Sequence, residues 1–368
     1  MKPYPYTKPT PILNWLKPCA TLFLFAFTIF ISAAAISSNG EAATENKVLY
    51  IGRFDHTTPN QTRFTWPNSA IAFRFEGTQA SIAIASPNKM RFQVNVDGKI
   101  KDLFVKAGEH QYTLANSLSK GEHTVTLTRL SESFTGIAAI TSAPIVDGKL
   151  LAPPSPAKNK LLVIGDSITA GYGVEGESEQ CGYSIETSNA QKTYAAITAN
   201  NLNASLHTLA WSGIGVWRSY GEQKPVNPTI TARQQRVLAD DSNSKWNSAL
   251  YQPNAILINI GTNDFWEFKK PNLVAEQYKK HLQKLINTLR QDYPTQPFYL
   301  IVSPMLGGEK RDLQKQILAS FANNNIAVLD LRKIEPEDGL GCHYHPNLTT
   351  QNRLAIKLTT RLKADLNW

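Results

Sequence analysis

Leu161-Leu162-Val163-Ile164-Gly165-Asp166-Ser167-Ile168-Thr169-Ala170-Gly171-Tyr172-Gly173 is an apolar run stopped by a glycine-rich turn that carries one serine. A short continuous run of this kind suits a strand buried on both faces, as in a parallel sheet covered by helices. The residues that follow repeat the pattern. Strands are expected at Leu161 to Ile164, Leu206 to Ala210, Ala255 to Ile260, Phe298 to Val302 and Ala327 to Leu331. Helical spacing falls between and after them, at Ala190 to Asn201, Leu273 to Asp292, Lys310 to Asn324 and Thr349 to Leu366. Strands and helices in alternation mark an α/β unit with a parallel sheet. Ligands of such sheets sit beyond the carboxyl ends of the strands, so chemistry is expected in the loops that follow them.

Upstream the pattern changes. Ile71, Phe73 and Phe75 alternate with polar or small residues, as do Ala80, Ile82 and Ile84, then Phe92, Val94 and Val96, then Val125 and Leu127. A period of two places each set on one sheet face, and Asp97-Gly98 and Lys120-Gly121 suit turns between runs. An all-β sandwich or jelly roll is expected over 44–150, a proline-rich, semi-rigid linker (LAPPSPAKNK) over 151–160, and the α/β domain over 161–368.

With 42% apolar and 18% charged residues in 368, the chain can bury a sizeable core, which excludes disordered and fibrous classes. The net charge of +9 contains no Lys/Arg run after the leader, so no nucleic-acid partner is expected. Residues 1–43 have a basic start, an uncharged apolar stretch from Ala20 to Ile36 and small residues up to Ala43, the order of a secretory signal peptide cleaved near Ala43. An uncleaved anchor is the rival reading, for which the stretch is short. A secreted or periplasmic protein with no membrane partner beyond export is expected. Loss of the leader removes Cys19 and leaves Cys181 and Cys342, an even pair expected to form a disulfide.

The chemistry clusters after the strands. Ser167 stands at a tight turn that presents a nucleophilic hydroxyl with its own N–H toward the reacting carbon. Trp211-Ser212-Gly213-Ile214-Gly215 offers the N–H of Gly213 with no side chain in the way, and Gly261-Thr262-Asn263-Asp264 offers the amide of Asn263. The N–H groups of Ser167 and Gly213 with the Asn263 amide would make a three-donor oxyanion hole. His345-Pro346, ahead of the last helix, supplies the general base. No metal ligand set and no cofactor is implied.

These blocks resemble the SGNH (GDSL) hydrolase superfamily in order and position. Tyr50-Ile51-Gly52-Arg53-Phe54, Phe64-Thr65-Trp66-Pro67, Gly121-Glu122-His123, Ser212-Gly213-Ile214-Gly215 and Gly341-Cys342-His343-Tyr344-His345-Pro346 resemble carbohydrate esterase family 2 in particular. The resemblance implies a flavodoxin-like parallel sheet behind an N-terminal jelly roll, and an exported serine esterase that removes acetyl groups from plant polysaccharide of the xylan or glucomannan type. An acetylated polysaccharide or oligosaccharide is then the partner. One departure is that His343 and Cys342 stand where many superfamily members carry the aspartate that orients the histidine. A Ser-His dyad with a backbone carbonyl in that role is preferred, with Asp338, Glu337 and Asp330 as alternative orienters. Tyr172, Trp217, Tyr344 and above all Trp266 are candidate sugar-stacking residues, and Arg218 is a candidate ligand for a sugar hydroxyl. The rivals are a lipid or thioester hydrolase of the same superfamily and a non-catalytic carbohydrate-binding protein. The presence of Ser167, Gly213, Asn263 and His345 together argues against the latter.

Overall fold

Ile71, Phe73 and Phe75 on Ala70–Gly77, Ile82 and Ile84 on Ala80–Ser86, Phe92, Val94 and Val96 on Met90–Val96, and Val125 and Leu127 on Gly121–Arg129 are all buried. In the computed structural model, which describes residues 47–368, they meet in one core between two antiparallel sheets. The leader, with its export signal and Cys19, lies outside the described residues. One sheet runs in the order Val48–Ile51, Ala70–Gly77, Gly121–Arg129, Met90–Val96, Lys99–Val105; the other holds Thr62–Phe64, Ala80–Ser86, Gly108–Ala115, Ala138–Ile140 and Ile145–Val146. Asp97-Gly98 makes a turn between runs as expected, a two-residue hairpin with Val96 paired to Lys99. Lys120-Gly121 lies where the chain passes from one sheet to the other, between Gly108–Ala115 and Gly121–Arg129.

The second half is a parallel sheet in the spatial order Ala204–Ala210, Asn159–Gly165, Ala255–Asn259, Phe298–Ile301, Ile326–Leu329. Successive residues of its central strand enter opposite cores, Leu161 and Val163 one, Leu162 and Ile164 the other. That is why the run is apolar throughout rather than alternating. Helices Tyr194–Asn201 and Leu348–Leu366 cover the first face, and Pro271–Asp292 with Gly308–Ala319 covers the second. No helix among the described residues is long and apolar enough to cross a membrane.

The described residues form one compact unit, because the β lobe inserts side chains into the α/β lobe. Trp66, 1% exposed, sits in a core of the α/β lobe, and its indole N–H donates to the Arg236 carbonyl at 3.3 Å. The Thr65 hydroxyl accepts from the Ala239 N–H at 2.8 Å, and the buried Arg53 guanidinium donates to the carbonyls of Gln234 and Arg236. The expected spacer over 151–160 is correspondingly shorter. Lys149–Leu150 pairs with the β lobe, the Leu151 N–H bonds the Arg74 carbonyl, and Asn159 already belongs to the central strand.

Candidate active site

Gly165 is in register with Ala210 on one side and Asn259 on the other, so the loops carrying Ser167, Gly213 and Asn263 leave the sheet at one level. The first of these strands is the point where the strand order reverses, the place where open α/β sheets form their ligand crevice. Ser167 opens a single helical turn, Ser167–Ala170, capped by Asp166, whose carboxylate accepts from the Ile168 N–H at 3.0 Å. A first-turn N–H has no acceptor within its own helix, so that of Ser167 is available to an incoming oxygen.

His345 Nε2 lies 2.8 Å from Ser167 Oγ. Its Nδ1 lies 3.0 Å from two backbone carbonyls, those of Cys342 and His343. Two carbonyls can only accept, so the proton of the neutral ring resides on Nδ1 and Nε2 is left to take the serine proton. The carbonyls reach this position because His343 and Tyr344 both adopt left-handed conformations, with φ of 51° and 63°. Such backbone costs about 1–3 kcal/mol per residue and persists only where its surroundings enforce it. Here they do: the His343 N–H donates to the carbonyls of Glu179 and Cys181, and the Gly341 N–H to that of His345. Cys342 is bonded to Cys181 through their sulfurs, at 2.12 Å.

The carboxylates that sequence offered as orienters are engaged elsewhere. Asp338 is held by Arg332 and Arg353, Glu337 by Arg332, and Asp330 by Arg311 and Lys315. Desolvation holds His345 down to about 4, against its two carbonyls, which raise it. The ring is therefore neutral, and competent as a base, well into the acid range. The acid limb of kcat/KM is expected near pH 4 rather than near 6.5, as a pH-rate profile on a small acetyl ester would show; a limb near 6.5 would contradict it. Linkage has the same direction. Between those values the unfolded chain binds the extra proton, so the stability contributed by neutral His345 is complete above about 6.5 and is lost as pH falls toward 4.

Gly213 has φ of +81°, a conformation side chains disfavour, and its N–H has no partner among the described residues. A Cβ on Gly215 would lie 2.6 Å from the Asp264 carboxylate. That close approach lets Asp264 collect the N–H groups of Val216, Trp217 and Arg218, although burial still pushes its carboxyl up to about 6. The Gly213 and Asn263 loops are thus tied together. Asn263 is buried and donates one amide hydrogen to the Ile214 carbonyl at 2.8 Å, which orients the side chain and leaves its second hydrogen free to act. A serine hydroxyl in hydrogen-bond contact with a neutral imidazole, with further donors on the loops of the neighbouring strands, is the kind of arrangement that suits acyl transfer.

Residues 50–154 match the Carbohydrate esterase 2 N-terminal family, and residues 163–352 the GDSL-like Lipase/Acylhydrolase family. The structure is similar to that of a family two carbohydrate esterase from Clostridium thermocellum in complex with cellohexaose. The two agree with a TM-score of 0.82 at 33% identity, over 87% of this chain and 99% of that one. The chain belongs to carbohydrate esterase family 2. This esterase is 34% identical to the cellulase/esterase CelE of Acetivibrio thermocellus over 87% of its own length, and spans about 40% of that larger protein. It is 25% identical to an acetylxylan esterase / glucomannan deacetylase of Cellvibrio japonicus, with 95% of this chain and 98% of the relative covered.

Several expected sugar contacts are placed differently in the esterase. Tyr172 is buried, stacks on the His345 ring at 4.5 Å and bonds His343 Nδ1 through its hydroxyl at 2.8 Å, so it braces the His345 ring rather than offering a face to sugar. Arg218 is buried, with its guanidinium donating to the carbonyls of Glu222, Asp264 and Glu267, which makes it a loop brace. Trp217 packs against the α/β core with that guanidinium 4.9 Å over its ring. Tyr344 remains open at 54% exposure, and the half-buried Trp266 lies 4.9 Å from the exposed ring of Tyr220. No cluster of three or more metal-ligating side chains occurs among the described residues.

Replacing both Cys181 and Cys342 by alanine opens a link between residues 161 apart in sequence. The double variant is expected to lose about 2–4 kcal/mol of stability in a urea melt, and an unchanged melt would contradict a structural role for the bond. Sequence reasoning placed no site residue in the β lobe. The structure sets the Glu132 carboxylate of that lobe on the hydroxyl of Ser212, beside Gly213, a contact with no local sequence signal.

Proposed function

We propose that this esterase removes O-acetyl groups from polysaccharide of the xylan or glucomannan type, with Ser167 as nucleophile and His345 as general base. Ser167 Oγ attacks the acetyl carbonyl carbon while its proton passes to His345 Nε2. The N–H groups of Ser167 and Gly213 and the Asn263 amide hold the oxyanion. The protonated imidazole then returns the proton to the departing sugar oxygen, and water, deprotonated by the same nitrogen, releases acetate and frees the serine. The observation that carries this reading is the 2.8 Å contact between His345 Nε2 and Ser167 Oγ, with Nδ1 fixed by two carbonyls.

The substrate class draws support from relatives named acetylxylan esterase / glucomannan deacetylase and from the cellohexaose complex of the related esterase. Exposed Tyr344 and the Tyr220–Trp266 pair are the aromatic faces proposed to receive sugar rings. Export is proposed from the leader in the sequence, and the Cys181–Cys342 bond suits an oxidising compartment.

Acetate release from acetylated xylan and acetylated glucomannan tests the reading, with 4-nitrophenyl esters of increasing chain length alongside. Release from a polymer together with rates that fall beyond acetyl is expected. Rates that rise with acyl length, with no release from either polymer, would move the esterase to the lipid or thioester class.

A further inference from the structure

We propose that Glu132, contributed by the β lobe, is a positioning residue for the oxyanion hole of the α/β lobe and acts through Ser212. The inference rests on the reading above, in which the Gly213 N–H receives the oxyanion.

The turn that carries Glu132 is rigid. Arg129, fully buried, donates to the carbonyls of Ser131, Glu132 and Gly136 and to the Thr135 hydroxyl, so the chain is curled around one guanidinium. From this turn, successive side chains grip successive residues of the opposite lobe. The Ser133 hydroxyl donates to the carbonyl of Ala210, the last residue of its strand, at 2.9 Å. The Phe134 ring meets Trp211 edge-on with centroids 6.4 Å apart. The Glu132 carboxylate accepts from the Ser212 hydroxyl. Residues 210, 211 and 212 are thereby held from the β lobe, and Gly213 is next.

A fully buried carboxyl is costly, and a structural clamp has no need of one. Burial pushes Glu132 up to about 7, while the hydrogen bond from the Ser212 hydroxyl acts in the opposite direction. Its position fixes the Ser212 side chain, and the peptide joining Ser212 to Gly213 carries the donor. Gly213 has a freely permissive backbone at φ of +81°, so nothing intrinsic to the glycine holds that peptide plane. Catalytic donors act by being oriented before charge develops, and a misplacement of the order of an ångström costs rate without costing ground-state binding.

The test uses the full chain and 4-nitrophenyl acetate. Glu132→Ala is expected to lower kcat about 10- to 100-fold with KM within about twofold, less than the loss of a donor outright. Ser212→Ala is expected to do the same, and the double variant to lose no more than the worse single. Glu132→Gln, whose side-chain oxygen still accepts from the Ser212 hydroxyl, should recover most of the loss. A folded Glu132→Ala or Ser212→Ala with kcat within about threefold of wild type overturns the inference, as does a loss confined to KM or a multiplicative loss in the double variant. Should Glu132→Ala fail to fold, Ser212→Ala decides by the same criterion. Ser167→Ala measured alongside keeps the two readings apart: if it stays active the serine mechanism itself is wrong. If it is inactive while the Glu132 and Ser212 variants keep full rate, only the role of Glu132 is wrong.

Discussion

Ser167→Ala is expected to lower kcat on 4-nitrophenyl acetate by about 10⁴- to 10⁶-fold, the range over which a nucleophile that works as one unit with its base is lost. The substitution removes one oxygen from a side chain 6% exposed, so fold and sugar binding should survive it. His345→Ala should cost a comparable factor, and the double variant little more than either single, because Oγ at 2.8 Å from Nε2 has no second base within the described contacts. Steady-state kinetics on the three variants, with circular dichroism to confirm folding, checks this. A Ser167→Ala protein within tenfold of wild type, or losses that multiply in the double variant, would sink the nucleophile assignment.

The second large effect is expected at Asn263. Asn263→Ala should lower kcat about 10²- to 10³-fold with KM little changed, since the amide is aimed at charge that exists only in the transition state. The side chain also donates to the Ile214 carbonyl at 2.8 Å, so about 1 kcal/mol of stability should go with it. The two losses are separable, because a melt reports the second and kcat only the first. A kcat within about threefold of wild type would mean that the oxyanion is held by the backbone donors of Ser167 and Gly213 alone.

Much of the site could be read from the chain because its parts are local. Gly165-Asp166-Ser167 marks a strand stopped at a capped turn, and the turn geometry needs only neighbouring atoms, such as the Asp166 carboxylate on the Ile168 N–H. The strands are legible for a similar reason: Leu161, Val163, Leu162 and Ile164 are apolar because both faces of the sheet are covered. Once five such strands alternate with helices, the order of loops along the sheet edge follows, and with it the neighbourhood of Ser167, Gly213, Asn263 and His345.

Other features could not be read. The groups that orient His345 are backbone carbonyls of Cys342 and His343, and a carbonyl has no letter of its own in the sequence. Tyr172, Trp217 and Arg218 sit in the right loops, yet a loop does not reveal which of its side chains turn inward. Tyr172 turns toward His343, which is 171 residues away along the chain, and Arg218 toward carbonyls of another loop.

By itself, then, the sequence determined the two kinds of sheet, the strand-end loops and the residue types fit for acyl transfer, because propensity, periodicity and turn chemistry act over a few residues. Only the tertiary structure decided which aromatics are buried and which stay exposed, that no carboxylate among the described residues bonds His345, and that the β lobe places Glu132 against Ser212. Those outcomes depend on burial and hydrogen bonding between segments far apart in the chain, and such contacts come into being only when the lobes pack.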